Sequence, residues 1–110
     1  MIDQVVFEAT GKFVEEIKKS NTVIEYNLQK EKMKRNPDLF ARVKEYRQMN
    51  FALQSGTQAE ELLDKLDAFE KEYEKFREDP LVDDFLRAEL AFCRMIQEIN
   101  SQLMTELDFE

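Results

Sequence analysis

Residues 80–107 read PLVDDFLRAELAFCRMIQEINSQLMTEL. Leu81, Phe85, Ala88, Phe92, Met95 and Ile99 recur at steps of three and four, which places them on one face of an α-helix. A second row, Val82, Leu86, Cys93, Ile96, Leu103 and Leu107, lies beside the first and widens the apolar arc past half the circumference. A surface helix needs only one apolar stripe of roughly 100°. This one must be covered from more than one side, so it reads as the central helix of a bundle. The fold class expected is all-α.

Composition agrees. The chain has 110 residues, enough for a single helical domain, 1–110, with a core of its own. Only 2 Gly and 2 Pro leave little punctuation for a fold of many strands and turns, while 36% charged residues suit long solvated helix faces. No apolar run approaches the ~18 residues of a membrane span, and no signal peptide opens the chain. A single cysteine excludes an internal disulfide and points to a reducing cytoplasm. The absence of histidine removes the usual general base and the commonest metal ligand. With no Gly-rich phosphate loop and no nucleophile beside a base, nothing here reads as an enzyme.

The net charge of −8 is unevenly spread. Residues 1–55 hold 10 Lys and Arg against 8 Asp and Glu, whereas residues 56–110 hold 6 against 16. A phosphate backbone would be repelled by half of such a surface, so nucleic-acid contact is expected to be indirect at most. Protein partners with unlike surfaces suit this split better.

Outward from the central helix, each boundary carries a cap. Asp3 caps a first helix to about Lys19, with Ile2, Val6, Ala9, Phe13 and Ile17 on one face; Gly11 inside it costs about 1 kcal/mol relative to Ala, either as a plain interior glycine or to admit a neighbouring helix. Thr22 with Glu25 reads as a capping box for a short second helix carrying Ile24 and Leu28. Asn36 before Pro37 restarts the chain into a third helix, with Leu39, Val43, Tyr46 and Leu53 in heptad spacing. Ser55 and Gly56 end it, and Thr57 with Glu60 opens a fourth. There Leu62, Leu66, Phe69, Tyr73 and Phe76 alternate steps of four and three without a fault. Asp79 before Pro80 launches the central helix.

A helix of 28 residues is about 42 Å long, against a diameter of roughly 34 Å for a compact globule of this length. The expectation is an elongated bundle of about five helices with a long C-terminal helical hairpin. Its excess apolar surface would be buried in a homodimer, with a two-fold pair as the default form. Leu62, Leu66, Phe69, Tyr73 and Phe76, with Phe85, Phe92, Met95 and Ile99, form the expected core or dimer seam.

Candidate sites are few. Carboxylate neighbours such as Glu15 and Glu16, Glu60 and Glu61, or Asp83 and Asp84 point about 100° apart and do not converge on a metal. Cys93 reads as a buried, inert thiol. Lys30, Lys32, Lys34, Arg35, Arg42 and Arg47 form the one basic concentration, read first as a solvated face and second as a strip for RNA phosphates. Glu89 and Asn100 fall inside the apolar arc of the central helix, and Asn50 fills the gap in the third helix's seam. Polar groups aimed at a core need partners, and in helical seams they fix register and oligomeric state.

The stretches RNPDLFARVKEYRQMNFALQ and TQAEELLDKL, and above all DPLVDDFLRAELAFCRMIQEINSQL, resemble the YlbF/YmcA family of small helical proteins of Gram-positive bacteria. The resemblance spans 6–107, and its most specific part is the N/D-P-L stretch followed by Glu89, Phe92, Ile99 and Asn100. It implies an all-α, cytosolic, usually dimeric regulator without catalytic activity. Relatives associate with one another and with further proteins in a complex that affects competence, sporulation, biofilm formation and mRNA processing. Some members of that complex carry cysteines associated with an iron–sulfur cluster. Here Cys93 stands alone in mid-helix, so no resident cofactor is expected; a cluster could only be shared within a hetero-complex. The expected function is a regulatory adaptor acting through helix-mediated contacts. The alternative is an RNA-associated factor contacting phosphates through the 30–47 strip.

Overall fold

The computed structural model describes residues 2–56 and 59–109. Five helices follow one another: α1 (Gln4–Lys19), α2 (Asn21–Lys34), α3 (Pro37–Gly56), α4 (Ala59–Glu78) and α5 (Pro80–Glu106). There is no strand among the described residues, so the all-α class stands.

Local chemistry explains the boundaries. The Asp3 carboxylate accepts a hydrogen bond from the Val5 N–H at 2.8 Å, an N-cap on an otherwise orphaned donor. Lys18 and Lys19 sit in the last turn of α1, where the helix dipole favours cations. The next cap is a correction: Thr22 lies inside α2, and Ser20 takes its place. Ser20 is extended (φ −66°, ψ 148°), so its hydroxyl can accept from the Val23 N–H at 3.3 Å while donating to the Ile17 carbonyl at 2.6 Å. One serine thus closes α1 and opens α2. Asn36 does the same between α2 and α3. Its amide donates to the Lys32 carbonyl, and its own carbonyl accepts the first bond of α3 from Phe40. The Thr57–Glu60 box lies outside the described residues. Asp79 caps α5 through Leu81 N–H at 2.9 Å, with Pro80 at the first helical position. At the other end Asp108 turns left-handed (φ 52°), and Phe109 N–H reaches back to the Met104 carbonyl. That is a Schellman closure with Asp where Gly is usual.

The chain divides into two compact units. Lys30–Leu86 holds the end of α2, α3, α4 and the start of α5, with α3 and α4 its closest helix pair. Its core is Met33, Val43, Phe69, Tyr73, Phe76, Val82 and Phe85, all buried. Four rings knit it together. Tyr46 stacks on Phe69 at 5.2 Å between centroids and meets Tyr73 edge-on at the same distance, with Phe76 tilted at 5.8 Å. Phe40 meets Phe85 edge-to-face at 5.8 Å. Such pairs add about 0.5–1.5 kcal/mol each beyond the area they bury.

The other unit comprises residues up to Gln29 with those from Arg87 on. Among its described residues only Val23, Gln29 and Ala88 are buried, and α1 has no buried residue at all. Tyr26 meets Phe92 edge-to-face at 5.2 Å. In α2, Ile24 and Leu28 are exposed, and Val23, Tyr26 and Met33 turn inward. Both rows satisfy helical spacing, and the packing of Tyr26 on Phe92 decides between them.

Candidate interaction surfaces

The seam residues sort by unit. Phe69, Tyr73, Phe76 and Phe85 are buried; Leu62, Leu66, Phe92, Met95 and Ile99 are half-buried. Glu89 and Asn50 are half-buried as well. Asn100 is exposed, which corrects its expected burial, and so is Cys93. The cause is common to both. The covered or half-covered positions of α5 in this unit are Ala88, Glu89, Phe92, Met95 and Ile99, and the second apolar row, from Cys93 onward, lies beside them on a face the chain leaves open. Cys93 follows Phe92 by one residue, hence by 100° around the helix.

Two surfaces stand out. The first is the apolar face of α1 and of the C-terminal part of α5. On α1 and its cap region Ile2, Val6 and Phe13 of that face are exposed, and Val5, exposed to 74%, and Phe7 flank it on either side. On α5, Leu90, Ile96, Leu103 and Met104 are exposed, followed by Leu107 at 72%. Phe13, Ile99, Gln102, Leu103 and Glu106 line a shallow cleft of about 190 Å³. Isolated exposed hydrophobes are ordinary on any protein surface. A set this dense on helices with so little buried of their own marks a surface that expects a partner.

The second is the basic strip, which the fold splits. Lys32, Lys34, Arg35 and Arg42 are exposed, while Lys30 and Arg47 are half-buried. Lys34 pairs with Glu31 at 3.3 Å along the same helix. Several cations rest on rings: Arg42 lies 4.8 Å from the Phe76 centroid, Lys44 4.5 Å from Phe40 and Arg47 5.9 Å from Phe85. Each such contact holds a cation for the protein's own aromatics. Sequence reading missed Phe51, which is 73% exposed and lines an open groove with Lys44, Arg47 and Gln48. Its clue was a phenylalanine outside the row formed by Leu39, Val43, Tyr46 and Leu53.

A third, charged groove of about 540 Å³ is lined by Asp67, Glu70, Lys71, Glu74, Arg77 and Asp83. Its carboxylates alternate with cations. No group of three or more Cys, Asp or Glu side chains is placed to hold a metal ion among the described residues. No helix of the described residues is long and apolar enough to cross a membrane.

Among the described residues one titratable group is perturbed, and it lies in the core. Burial pushes the Tyr73 hydroxyl above its ordinary 10.0, with Glu45 and Glu72 adding to the rise and Arg42 opposing it.

No curated protein and no solved structure matches the chain. A family model described as control of competence regulator ComK, YlbF/YmcA, matches residues 6–108, nearly the full length, and the chain therefore belongs to the YlbF/YmcA family.

Proposed function

We propose that this chain is a regulatory adaptor without catalytic activity, which pairs with itself and with other proteins through helix faces in the cytoplasm. The family is one of regulators, named for control of ComK. What carries the reading for this chain is the open apolar face of α1 and α5 in a unit of which only three described residues are buried. A surface of that kind is satisfied by association, and it offers no group that would move a proton or an acyl or phosphoryl group. The protein partners are those of a complex affecting competence, sporulation, biofilm formation and mRNA processing, with RNA reached through them. No resident metal or cluster is needed for such a role.

Affinity capture from native cytosol tests this, comparing the parent with Val6→Asp on the open face of α1. The reading holds if the same few proteins are retained by the parent and lost by the variant. Equal capture by both sinks it. A second reading has one observation in its favour, the exposed Phe51 beside Lys44 and Arg47. Direct phosphate contact would give RNA binding that falls steeply with salt, with a slope of about −0.7 per contact for single strands.

A further inference from the structure

The apolar positions of α5 conceal an unbroken heptad: Val82, Leu86, Glu89, Cys93, Ile96, Asn100, Leu103 and Leu107 alternate steps of four and three. Its first half is covered within the chain, Val82 being buried and Leu86 and Glu89 half-buried. From Cys93 onward every member is exposed. Leu107 keeps its helical position through a 3.0 Å bond from its N–H to the Leu103 carbonyl. Leu90 and Met104, also exposed, widen the strip on the side away from the half-buried Phe92 and Ile99. At 100° per residue, Arg94, Glu98 and Glu106 all fall outside it. The free half of the seam carries no charge.

We propose that this strip is where a second copy of the chain docks, α5 against α5 about a two-fold axis, with the two Asn100 amides facing each other. The proposal rests on the reading that the chain pairs with itself, and it names the surface and the residue that set the pairing. Three observations select a second copy as the occupant. Asn100 is the middle one of the five free seam positions, with two apolar neighbours before it and two after. A wholly apolar partner would strand its amide without a hydrogen bond. A second copy brings a matching amide to the same height, whichever way the helices run, and an Asn at a lone seam position is the device that fixes register and strand number.

Charge is the second observation. Copies that each carry −8 repel, so a contact between them is favoured where neither presents negative charge. This strip meets that condition. The third is area. From Leu90 to Leu107 the strip is about 26 Å long and, on a helix about 10–12 Å across, about 17 Å wide. Roughly 450 Å² per copy, or ~900 Å² for the pair, lies just below the ~1,000 Å² of a firm interface. That predicts a weak dimer that dissociates on dilution.

Sedimentation equilibrium of the full chain from about 1 to 200 μM, on the parent, Asn100→Asp, Asn100→Leu and, as a control, Val5→Glu on α1, tests the proposal. Asn100 is exposed in the single chain, so neither substitution threatens the fold, and circular dichroism at the dilute end checks this. Asn100→Asp should weaken the dimer at least tenfold, with part of the loss recovered in 0.5 M salt as the facing charges are screened. Asn100→Leu should tighten association and blur its stoichiometry, while Val5→Glu leaves the constant unchanged. A dimer whose constant moves less than twofold in both Asn100 variants overturns the proposal and leaves self-pairing standing on another face. A parent that stays monomeric at 200 μM overturns both.

Discussion

The hydroxyl of Tyr73 on α4 donates a hydrogen bond to the thioether sulfur of Met49 on α3 at 2.9 Å. A sulfur is a weak acceptor, so this bond orients the ring more than it stabilises the neutral hydroxyl. Burial does the rest, since ionising Tyr73 would place a charge among Tyr46, Phe69 and Phe76 and near Glu45 and Glu72.

Stability should therefore fall in alkali. The folded chain keeps Tyr73 protonated above pH 10, where the unfolded chain has released that proton. The folded state then binds more protons, and unfolding is favoured as pH rises. The contribution is fully present below pH 10 and lost as pH climbs through the raised value. Urea denaturation at pH 8, 9.5 and 10.5 should show the parent losing more stability than Tyr73→Phe. Parallel losses would mean that the hydroxyl reaches water.

Phe85 and Phe92 separate the two units energetically. Phe85 is 1% exposed, and truncation to Ala should cost about 3–5 kcal/mol. Phe92 is half-buried against Tyr26; losing about half of a fully buried side chain's contribution gives a cost of roughly 1–2 kcal/mol. Chemical denaturation of both variants checks the ranking, and an equal cost would show that Phe92 is more deeply enclosed than it is in one chain.

Much of this was legible in the sequence because it depends on local chemistry. Asp3, Asn36 and Asp79 mark helix starts by residue type alone, and the α4 row from Leu62 to Phe76 has only one helical reading. What was not legible depends on which of two rows a neighbour covers. In α2 the row of Ile24 and Leu28 competes with that of Val23, Tyr26 and Met33. In α5 an arc wide enough for two partners does not say which half the chain itself fills, so Cys93 and Asn100 were misplaced while Phe85 and Ala88 were not. Phe51 was missed for the same reason: its place outside the α3 row marks it as off the seam but not as lining a groove.

Gln29 is buried, 4% exposed, and its Oε1 accepts no hydrogen bond, while its Nε2 donates to Glu25 at 2.8 Å. A buried acceptor left empty costs about 1–3 kcal/mol, and an apolar residue of similar shape removes that cost. Gln29→Met should raise stability by about 1 kcal/mol, the exposed Glu25 carboxylate turning to water. Gln29→Ala should lower it by opening a cavity. A drop in thermal midpoint for Gln29→Met would show that its amide carries a hydrogen bond in solution.

Gly11 gives the sharpest test of α1. It sits mid-helix, and a Cβ built there meets nothing within 4 Å. No neighbouring helix approaches it within one chain, so the glycine serves no close contact there. Alanine has a better helix propensity by about 1 kcal/mol and narrows the unfolded ensemble. Gly11→Ala should therefore stabilise the chain by about 0.5–1 kcal/mol, a gain read in urea at a concentration where the protein is monomeric. Repeating the measurement at 200 μM separates two roles for this turn. An unchanged gain means that α1 stays open when the chain associates. A gain that vanishes with concentration means that a partner's backbone closes on Gly11, and that the face of α1 is itself an interface.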